Sequence, residues 1–177
     1  GPAYGGSCFP KDTKGLVSIA DKEKINLSIV KSVIKSNYNR KYLLLNKMNK
    51  LLGKNLKNKK IAFLGVTFKP NTDDMRDAAS LYMIPHLHGR KATISYYDPT
   101  GEKKEFSKLK NCNYYSDPIS TCKDVDLIVL HTEWDEFKSL DFSKLLKNKK
   151  SVLYDLRNLY DLDQMKRKKI RYYSIGR

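Results

Sequence analysis

Apolar residues in the first third of the chain recur at helical spacing. The apolar positions that recur between residues 26 and 52 include Ile29, Val30, Val33, Ile34, Tyr38, Leu44, Leu45, Met48, Leu51 and Leu52. Their steps of three, four and seven predict an amphipathic helix of about seven turns, and Gly53 marks its end. A helix this long needs a surface to pack on, so it bridges two domains, pairs with its copy in a dimer, or packs along its own domain.

A shorter helix is predicted before it. The first seven residues are rich in glycine, and Pro10 follows them. Proline suits the first turn of a helix because its missing N–H would have no helical partner there. We expect this helix to continue to about Asp21, which places Cys8 at its N-terminus.

From residue 59 onward, short strand-like runs alternate with helical stretches. The strand-like runs are residues 61–66, 92–97, 127–131, 152–156 and 170–175, and the helical stretches are residues 77–88 and 142–146. This alternation predicts an α/β fold, in which a long central helix is followed by a doubly wound, mostly parallel sheet with ligands at the carboxyl ends of its strands. We divide the chain into a helical segment, residues 1–54, and an α/β domain, residues 55–177.

Composition and charge narrow the class of partner. The chain has 177 residues, 40% of them hydrophobic, which suits a folded core and not a disordered chain. Its 35 Lys and Arg against 19 Asp and Glu give a net charge of +16, which attracts anions. The basic clusters at residues 57–60, 147–150 and 166–169 are typical of solvated surface, and no nucleic-acid-binding motif accompanies them. We therefore expect an anionic small molecule as partner and no specific nucleic acid.

The sequence shows no membrane span and no secretory signal, since no apolar run approaches about 18 residues. Cys8, Cys112 and Cys122 have unrelated spacings, without a CxxC pair or a nearby histidine. We expect reduced thiols, no metal site, no membrane contact and a cytoplasmic protein.

The loop after the first predicted strand carries two candidate anion-binding cations. It begins at Gly65 and lacks the GxGxxG of a dinucleotide fingerprint, so a standard NAD site on this sheet is not expected. Lys69 and Arg76 flank the approach to the next helix, where backbone N–H groups and the helix dipole favour a diphosphate. Solvated surface charge is the alternative for each residue.

Three other strand ends carry polar residues. Asp98 precedes a proline and either meets a ribose hydroxyl or forms an ordinary acidic turn. Arg157 is a candidate fork for a carboxylate or a phosphate. His131 ends the strand-like run over residues 127–131, where a single histidine is usually structural, and we assign it no catalytic role.

Of the three cysteines, Cys8 has the surroundings that most favour nucleophilic catalysis. A thiol at a helix N-terminus beside Lys11 lies in a positive environment that favours the nucleophilic thiolate. Asp12 lies one turn further on the same face, where a carboxylate can orient or deprotonate water in covalent acyl chemistry. The alternative is a structural cysteine in a tight Gly-Gly turn.

Five separated strings give the sequence a family resemblance. They are GGSCFPKD from Gly5, FKPNTDDMR from Phe68, YDP from Tyr97, TEW from Thr132 and DLRN from Asp155. In this order they resemble the UDP-glucose/GDP-mannose dehydrogenases. The resemblance covers essentially the whole chain.

The resemblance implies an enzyme that oxidises the C6 alcohol of a UDP-sugar, UDP-glucose above all, to a carboxylate with two equivalents of NAD. In that family a cysteine takes up the aldehyde as a thiohemiacetal, becomes a thioester after hydride transfer, and is freed by hydrolysis. The implied catalytic residues are Cys8 and Asp12. The other implied roles are substrate binding by Tyr4, Gly5, Lys69 and Arg157, and cofactor contact by Lys11 and Arg76.

The same resemblance implies a homodimer built through the central helix and a nucleotide-sugar site on residues 55–177. Members of the family also carry an N-terminal NAD-binding domain, with a catalytic lysine and asparagine, that this sequence does not contain. We therefore expect NAD to bind mainly outside this chain and the chain alone to be inactive. Ala3, Tyr4 and Leu156 depart from residues usual in the family, which leaves the sugar open.

The sequence leaves two alternatives to a dehydrogenase. The first is a non-catalytic module for nucleotide-sugar binding or dimerisation. The second is a basic protein that binds polyanions, whose affinity for DNA would fall steeply with salt.

Overall fold

Two helices open the chain. The computed structural model describes residues 1–146 and 150–176, so residue 177 and residues 147–149 of one predicted basic cluster lie outside the described residues. Helix α1 spans Cys8–Lys22 and helix α2 spans Ser28–Leu52, which confirms both predicted helices. Gly53 follows α2 with a φ of 90°, a conformation that ends a helix and that glycine adopts without strain.

A parallel sheet forms the rest of the fold. Its strands are β1 Lys60–Leu64, β2 Thr93–Tyr97, β3 Cys112–Tyr114, β4 Leu127–Leu130, β5 Val152–Asp155 and β6 Tyr172–Ser174. The helices between them are α3 Ser80–Gly89, α4 Pro118–Thr121, α5 Phe142–Leu145 and α6 Leu162–Arg167. The strand order is β3-β2-β1-β4-β5-β6, and all neighbouring strands pair in parallel. The predicted α/β class with a doubly wound sheet is therefore confirmed, with its topological switch point between β1 and β4.

The structure adds short elements and moves one helix boundary. The sequence pattern missed β3, α4 and α6, which have only three, four and six residues and show no clear periodicity. The helix predicted over residues 77–88 begins at Ser80 instead. Asp77 adopts a left-handed φ of 51°, which a right-handed helix does not accommodate.

The C-terminal half of α2 packs on the sheet. Leu44, Leu45 and Met48 are buried in the same core cluster as Phe63 of β1 and Met83 of α3. Of the three surfaces proposed for the long helix, this half therefore uses its own domain. A second cluster covers the other face of the sheet, as expected for strands that read as continuous apolar runs.

The N-terminal half of α2 presents apolar side chains to solvent. Ile29 is 79% exposed and Val33 is 46% exposed. Within the described residues, none of the helices has the length and hydropathy that crossing a membrane requires.

Candidate functional site

The glycine pair before α1 packs tightly against the long loop between β1 and α3. The Gly6 N–H donates to the Arg76 carbonyl at 2.7 Å. A Cβ at Gly5 would stand 2.7 Å from the Asp77 carbonyl oxygen, and a Cβ at Gly6 would stand 2.7 Å from the Phe68 ring. Gly6 also has a φ of 82°, which favours glycine. We call these five residues the glycine contact, and it joins two strings that are far apart in the sequence.

A pocket of about 570 Å³ lies beside the glycine contact. This Cys8 pocket is lined by Gly6, Ser7, Cys8, Pro10, Lys11, Lys14, Arg76 and Asp77. Cys8 is exposed and is the first residue of α1, at the positive end of the helix dipole. The structure thus brings Cys8, Lys11 and Arg76 together around one concave, cationic surface.

The Arg76 guanidinium is held in a fixed orientation by Asp74. Its Nε and Nη2 each donate to one carboxylate oxygen at 2.9 Å, and the Arg76 backbone N–H donates to the same carboxylate at 2.9 Å. These hydrogen bonds hold the pKa of the Asp74 carboxyl below its ordinary value. Arg76 is therefore pre-oriented at the wall of the Cys8 pocket although its side chain is largely exposed.

Asp12 lies one turn after Cys8 on α1 but not among the residues that line the Cys8 pocket. Its carboxylate is exposed and lies 3.4 Å from the Lys11 ammonium. Across residues 1–146 and 150–176, no group of three or more His, Cys, Asp or Glu side chains is placed to hold a metal ion.

A second concave surface, of about 600 Å³, lies between α2 and the ends of the strands. This Arg157 groove is lined by Gly1, Ala3, Tyr4, Val33, Ser36, Asn37, Arg40 and Arg157. It brings together two residues predicted to bind substrate, Tyr4 and Arg157. Asn37 and Arg40 were not predicted, because on a helix read from sequence they are ordinary polar positions.

Arg157 ties three strand ends together. Its Nε donates to the His131 carbonyl and its Nη2 to the Phe68 carbonyl, both at 2.8 Å. Glu133 forms an ion pair with the same guanidinium at 2.8 Å. Burial lowers the pKa of Arg157, and the Glu133 carboxylate partly offsets that effect. The predicted fork is therefore partly used inside the protein, where it fixes the loop that carries Lys69.

The crevice at the topological switch point is filled by protein. A Cβ at Gly65 would stand 2.5 Å from the Thr132 Cβ, and Gly65 has a φ of 72°. The Thr132 hydroxyl donates to the Thr67 carbonyl at 2.6 Å, which closes β1 against β4. This close packing joins the ends of β1 and β4 at the switch point of the sheet.

His131 is buried in the same place and must be neutral. The single hydroxyl proton of Thr132 is donated to Thr67, so the 3.0 Å contact between His131 Nδ1 and Thr132 Oγ1 needs its proton from Nδ1. Nε2 is then an unprotonated acceptor, and it is buried with no hydrogen-bond partner among the described residues. Burial, helped by the charge of Arg157, lowers the pKa of His131 to about 3.

Asp98 has a structural role, so of its two alternatives the acidic turn holds and the contact with a ribose hydroxyl does not. It is fully buried, and its Oδ2 accepts from the Val66 N–H at 2.8 Å and from the Thr67 N–H at 3.3 Å. Its other oxygen lies 3.6 Å from the ammonium of Lys103. The carboxylate is thus occupied with holding the loop after β1, as an acidic turn residue does, and has no access to a ribose.

Lys69 and Arg76 contact different partners in the loop before α3. The Lys69 ammonium lies 5.5 Å from the centroid of the Phe68 ring, whereas Arg76 bonds to Asp74. Ala79 and Ser80, where α3 begins, are buried. The diphosphate site expected from Lys69 and Arg76 at the start of this helix stays a prediction.

Family models match both parts of the chain. Residues 62–162 match the UDP binding domain of the UDP-glucose/GDP-mannose dehydrogenase family, and residues 1–39 match its central domain. The chain belongs to this family. That assignment confirms the resemblance and places the glycine contact at the junction of two parts that the family models describe separately.

Relatives from several organisms agree with the family assignment. The chain is 40% identical to the UDP-glucose 6-dehydrogenases of Rhizobium meliloti over 178 residues and of Rickettsia prowazekii over 179 residues. These matches cover 100% and 99% of the chain but only 41% of each relative, so the chain spans about two fifths of the length of these curated proteins.

Solved structures share the fold. A UDP-glucose dehydrogenase from Pyrobaculum islandicum superposes with a TM-score of 0.76 at 28% identity, over 88% of this chain and 34% of that one. A UDP-D-ManNAc dehydrogenase from Pyrococcus horikoshii superposes with a TM-score of 0.82 at 24% identity, over 100% of this chain and 40% of that one. The second likeness supports the fold and nothing further.

Proposed function

We propose that the chain is the catalytic-cysteine and nucleotide-sugar-binding part of an NAD-dependent UDP-glucose 6-dehydrogenase, which oxidises UDP-glucose to UDP-glucuronate. The observation that carries the proposal is Cys8 at the start of α1, exposed in a pocket with Lys11 and Arg76, in a chain of this family. The relatives at 40% identity support UDP-glucose as the sugar nucleotide.

Cys8 forms and breaks one bond in this reaction. Once the C6 alcohol is an aldehyde, the Cys8 thiolate adds to the aldehyde carbon, and the new oxyanion takes a proton to give a thiohemiacetal. Loss of a hydride from that carbon gives a thioester, and water then adds and expels the thiolate with the carboxylate product. The helix dipole and the Lys11 and Arg76 charges stabilise both the thiolate and the oxyanions. Asp12, one turn away, orients the attacking water.

NAD, when bound, accepts the two hydrides. The Cys8 pocket fits such a cofactor, because Arg76 and Lys11 line it beside the thiol and can hold a phosphate or carboxamide group. The loop after β1 lacks the GxGxxG of a dinucleotide fingerprint, and Thr132 packs closely against Gly65 there. NAD is therefore held mainly by a domain outside this chain, which the greater length of the relatives supports.

The substrate site uses the residues predicted from the sequence. Tyr4 and Gly5 form the loop over the sugar, and Arg157 lines the groove on the same side as Tyr4. Lys69 lies on the loop that Arg157 holds through the Phe68 carbonyl. In this proposal residues 55–177 bind the nucleotide sugar, and residues 1–54 carry the cysteine loop and the long helix.

A homodimer through α2 belongs to the same proposal. Ile29 is 79% exposed and Leu43 is 61% exposed, so the helix presents large apolar side chains that a second copy would cover. Light scattering of the purified chain measures this directly. A monomer at high protein concentration would contradict it.

Calorimetric titration at physiological salt tests the substrate class. We expect the chain to bind UDP-glucose and UDP, to bind GDP-mannose much more weakly, and not to bind NAD. Failure of the folded chain to bind UDP-glucose or UDP would overturn the nucleotide-sugar site. DNA binding that falls steeply with salt would instead favour a polyanion-binding protein.

Reconstitution tests the chemistry. Adding a separately produced NAD-binding domain of a relative should restore NADH production from UDP-glucose. Cys8→Ala should abolish it, whereas Cys112→Ser, a matched change of a thiol outside the pocket, should not. An assembled complex that binds UDP-glucose but forms no NADH would favour a non-catalytic binding module.

A further inference from the structure

Arg40 is a second guanidinium at the Arg157 groove. Its Nε donates to the Gly1 carbonyl at 3.2 Å. The Arg157 Nη1 lies 3.6 Å from the position that a Cβ on Gly1 would occupy. Both guanidiniums therefore approach the same residue, one from α2 and the other from the end of β5.

The charges of these two arginines are not balanced alike. Arg157 is paired with Glu133 at 2.8 Å. Over the part of the chain that the structure describes, no carboxylate lies within 4.0 Å of the Arg40 guanidinium. The Arg40 guanidinium therefore carries a positive charge that a further anion in the groove can balance.

We propose that Arg40 and Arg157 together bind the diphosphate of the nucleotide sugar. The inference rests on the proposed function and adds Arg40 to its substrate-binding residues. A diphosphate brings two negative groups, which match two guanidiniums, and guanidinium N–H groups form charge-assisted hydrogen bonds with phosphate oxygens. Arg40 uses its Nε for Gly1, so its Nη groups supply the phosphate contacts.

The position of Arg40 on α2 links the groove to the loop over the sugar. Asn37, one turn before it, bonds to both the backbone N–H and the carbonyl of Tyr4. Arg40 holds the Gly1 carbonyl in the same way. The face of α2 that carries Asn37 and Arg40 therefore fixes the segment that covers the sugar and at the same time meets the diphosphate.

The test compares Arg40→Gln with Lys35→Gln in the purified chain. Lys35 is exposed on the same helix outside the groove, so the two variants lose the same charge. Calorimetry with UDP, UMP and uridine at fixed ionic strength gives the affinities. We expect Arg40→Gln to weaken UDP binding about tenfold or more, to weaken UMP binding less, and to leave uridine binding unchanged. Lys35→Gln should change UDP binding less than twofold.

Arg40→Lys keeps the positive charge but loses the planar guanidinium with its paired donors. It should therefore recover only part of the UDP affinity that Arg40→Gln loses.

Equal losses of UDP affinity in Arg40→Gln and Lys35→Gln would show that Arg40 contributes no more than an exposed lysine outside the groove, which would overturn the inference. Unchanged UDP affinity in Arg40→Gln would also overturn it, while binding by the unaltered chain would leave the proposed function standing. Absence of UDP binding in the folded, unaltered chain would overturn the proposed function itself. Thermal melting of each variant separates lost binding from lost folding.

Discussion

Asn37 pairs with the backbone of Tyr4 as a neighbouring strand would. Its Oδ1 accepts the Tyr4 N–H at 2.8 Å, and its Nδ2 donates to the Tyr4 carbonyl at 3.0 Å, across 33 positions of sequence. One side chain of α2 therefore fixes the backbone of Tyr4 in the loop before Cys8. The loop before Cys8 owes part of its conformation to a helix that follows it in the chain.

Asn37→Asp should loosen this pairing, because an oxygen replaces the amide that donates to the Tyr4 carbonyl. We expect a loss of about 1–3 kcal/mol in the free energy of unfolding and faster hydrogen exchange at the Tyr4 amide. Asn39→Asp is the matched control, since Asn39 is exposed on the same helix. Equal exchange rates in the two variants would show that the pairing does not hold the loop.

Gly6→Ala should disrupt the glycine contact. The new Cβ would stand 2.7 Å from the Phe68 ring, at a φ of 82° that itself disfavours alanine. We expect a loss of about 1–3 kcal/mol in the free energy of unfolding, measured by urea denaturation. Gly15→Ala, where nothing lies within 4 Å, should instead stabilise α1 by about 0.5–1 kcal/mol. A Gly6→Ala protein as stable as the unaltered chain would refute the tight packing.

Cys8 should react with iodoacetamide near neutral pH faster than the other two thiols. Burial raises the pKa of Cys112 to about 12 and raises that of the buried Cys122 as well, so both remain protonated. Cys8 is exposed at the start of α1. Peptide mass spectrometry after timed labelling gives the three rates. Equal rates in the folded protein would rule out an activated Cys8.

His131 should make the fold sensitive to mild acid. Its pKa is about 3 in the folded chain and 6.5 ordinarily, so the unfolded chain binds a proton first as the pH falls. Stability from this residue is intact above pH 6.5 and is lost between pH 6.5 and 3, by up to about 1.4 kcal/mol per pH unit.

His131→Asn tests this, because the shorter amide can still donate to Thr132 and does not titrate. Urea denaturation between pH 7 and 4 should show a shallower loss of stability in His131→Asn than in the unaltered chain. His86→Asn, at an exposed histidine, should keep the original slope. Parallel pH profiles for all three proteins would contradict a buried neutral His131.

The fold was largely predictable because its signals are local. Short strand-like runs predicted five of the strands, three-four spacing predicted α2, and Pro10 after the glycine-rich opening predicted α1, with the helix bounds correct to about two residues. β3 escaped because a three-residue strand, only partly buried, has no room to show a pattern. The start of α3 was misplaced because nothing local shows that Asp77 takes a left-handed conformation.

The candidate site was predictable only where a residue type carries its own chemistry. Cys8 at a helix start and Arg157 at a strand end are such cases, and the structure shows each at a concave surface. Asn37 and Arg40 gave no signal, because their partners Tyr4 and Gly1 are 33 and 39 positions away. Asp98 was ambiguous for the same reason, since its structural role depends on a loop more than 30 residues earlier.

The glycine contact limits how this protein can be recombined with its relatives. Gly6 and Phe68 meet at close range although α1, α2 and β1 separate them in sequence. A chimera that crosses over near Gly53 would combine a cysteine loop from one parent with a phenylalanine loop from another, and their surfaces would no longer be matched. Functional exchange therefore requires the two loops to come from the same parent, so a transplanted segment has to include residues 5–77, which span the glycine contact.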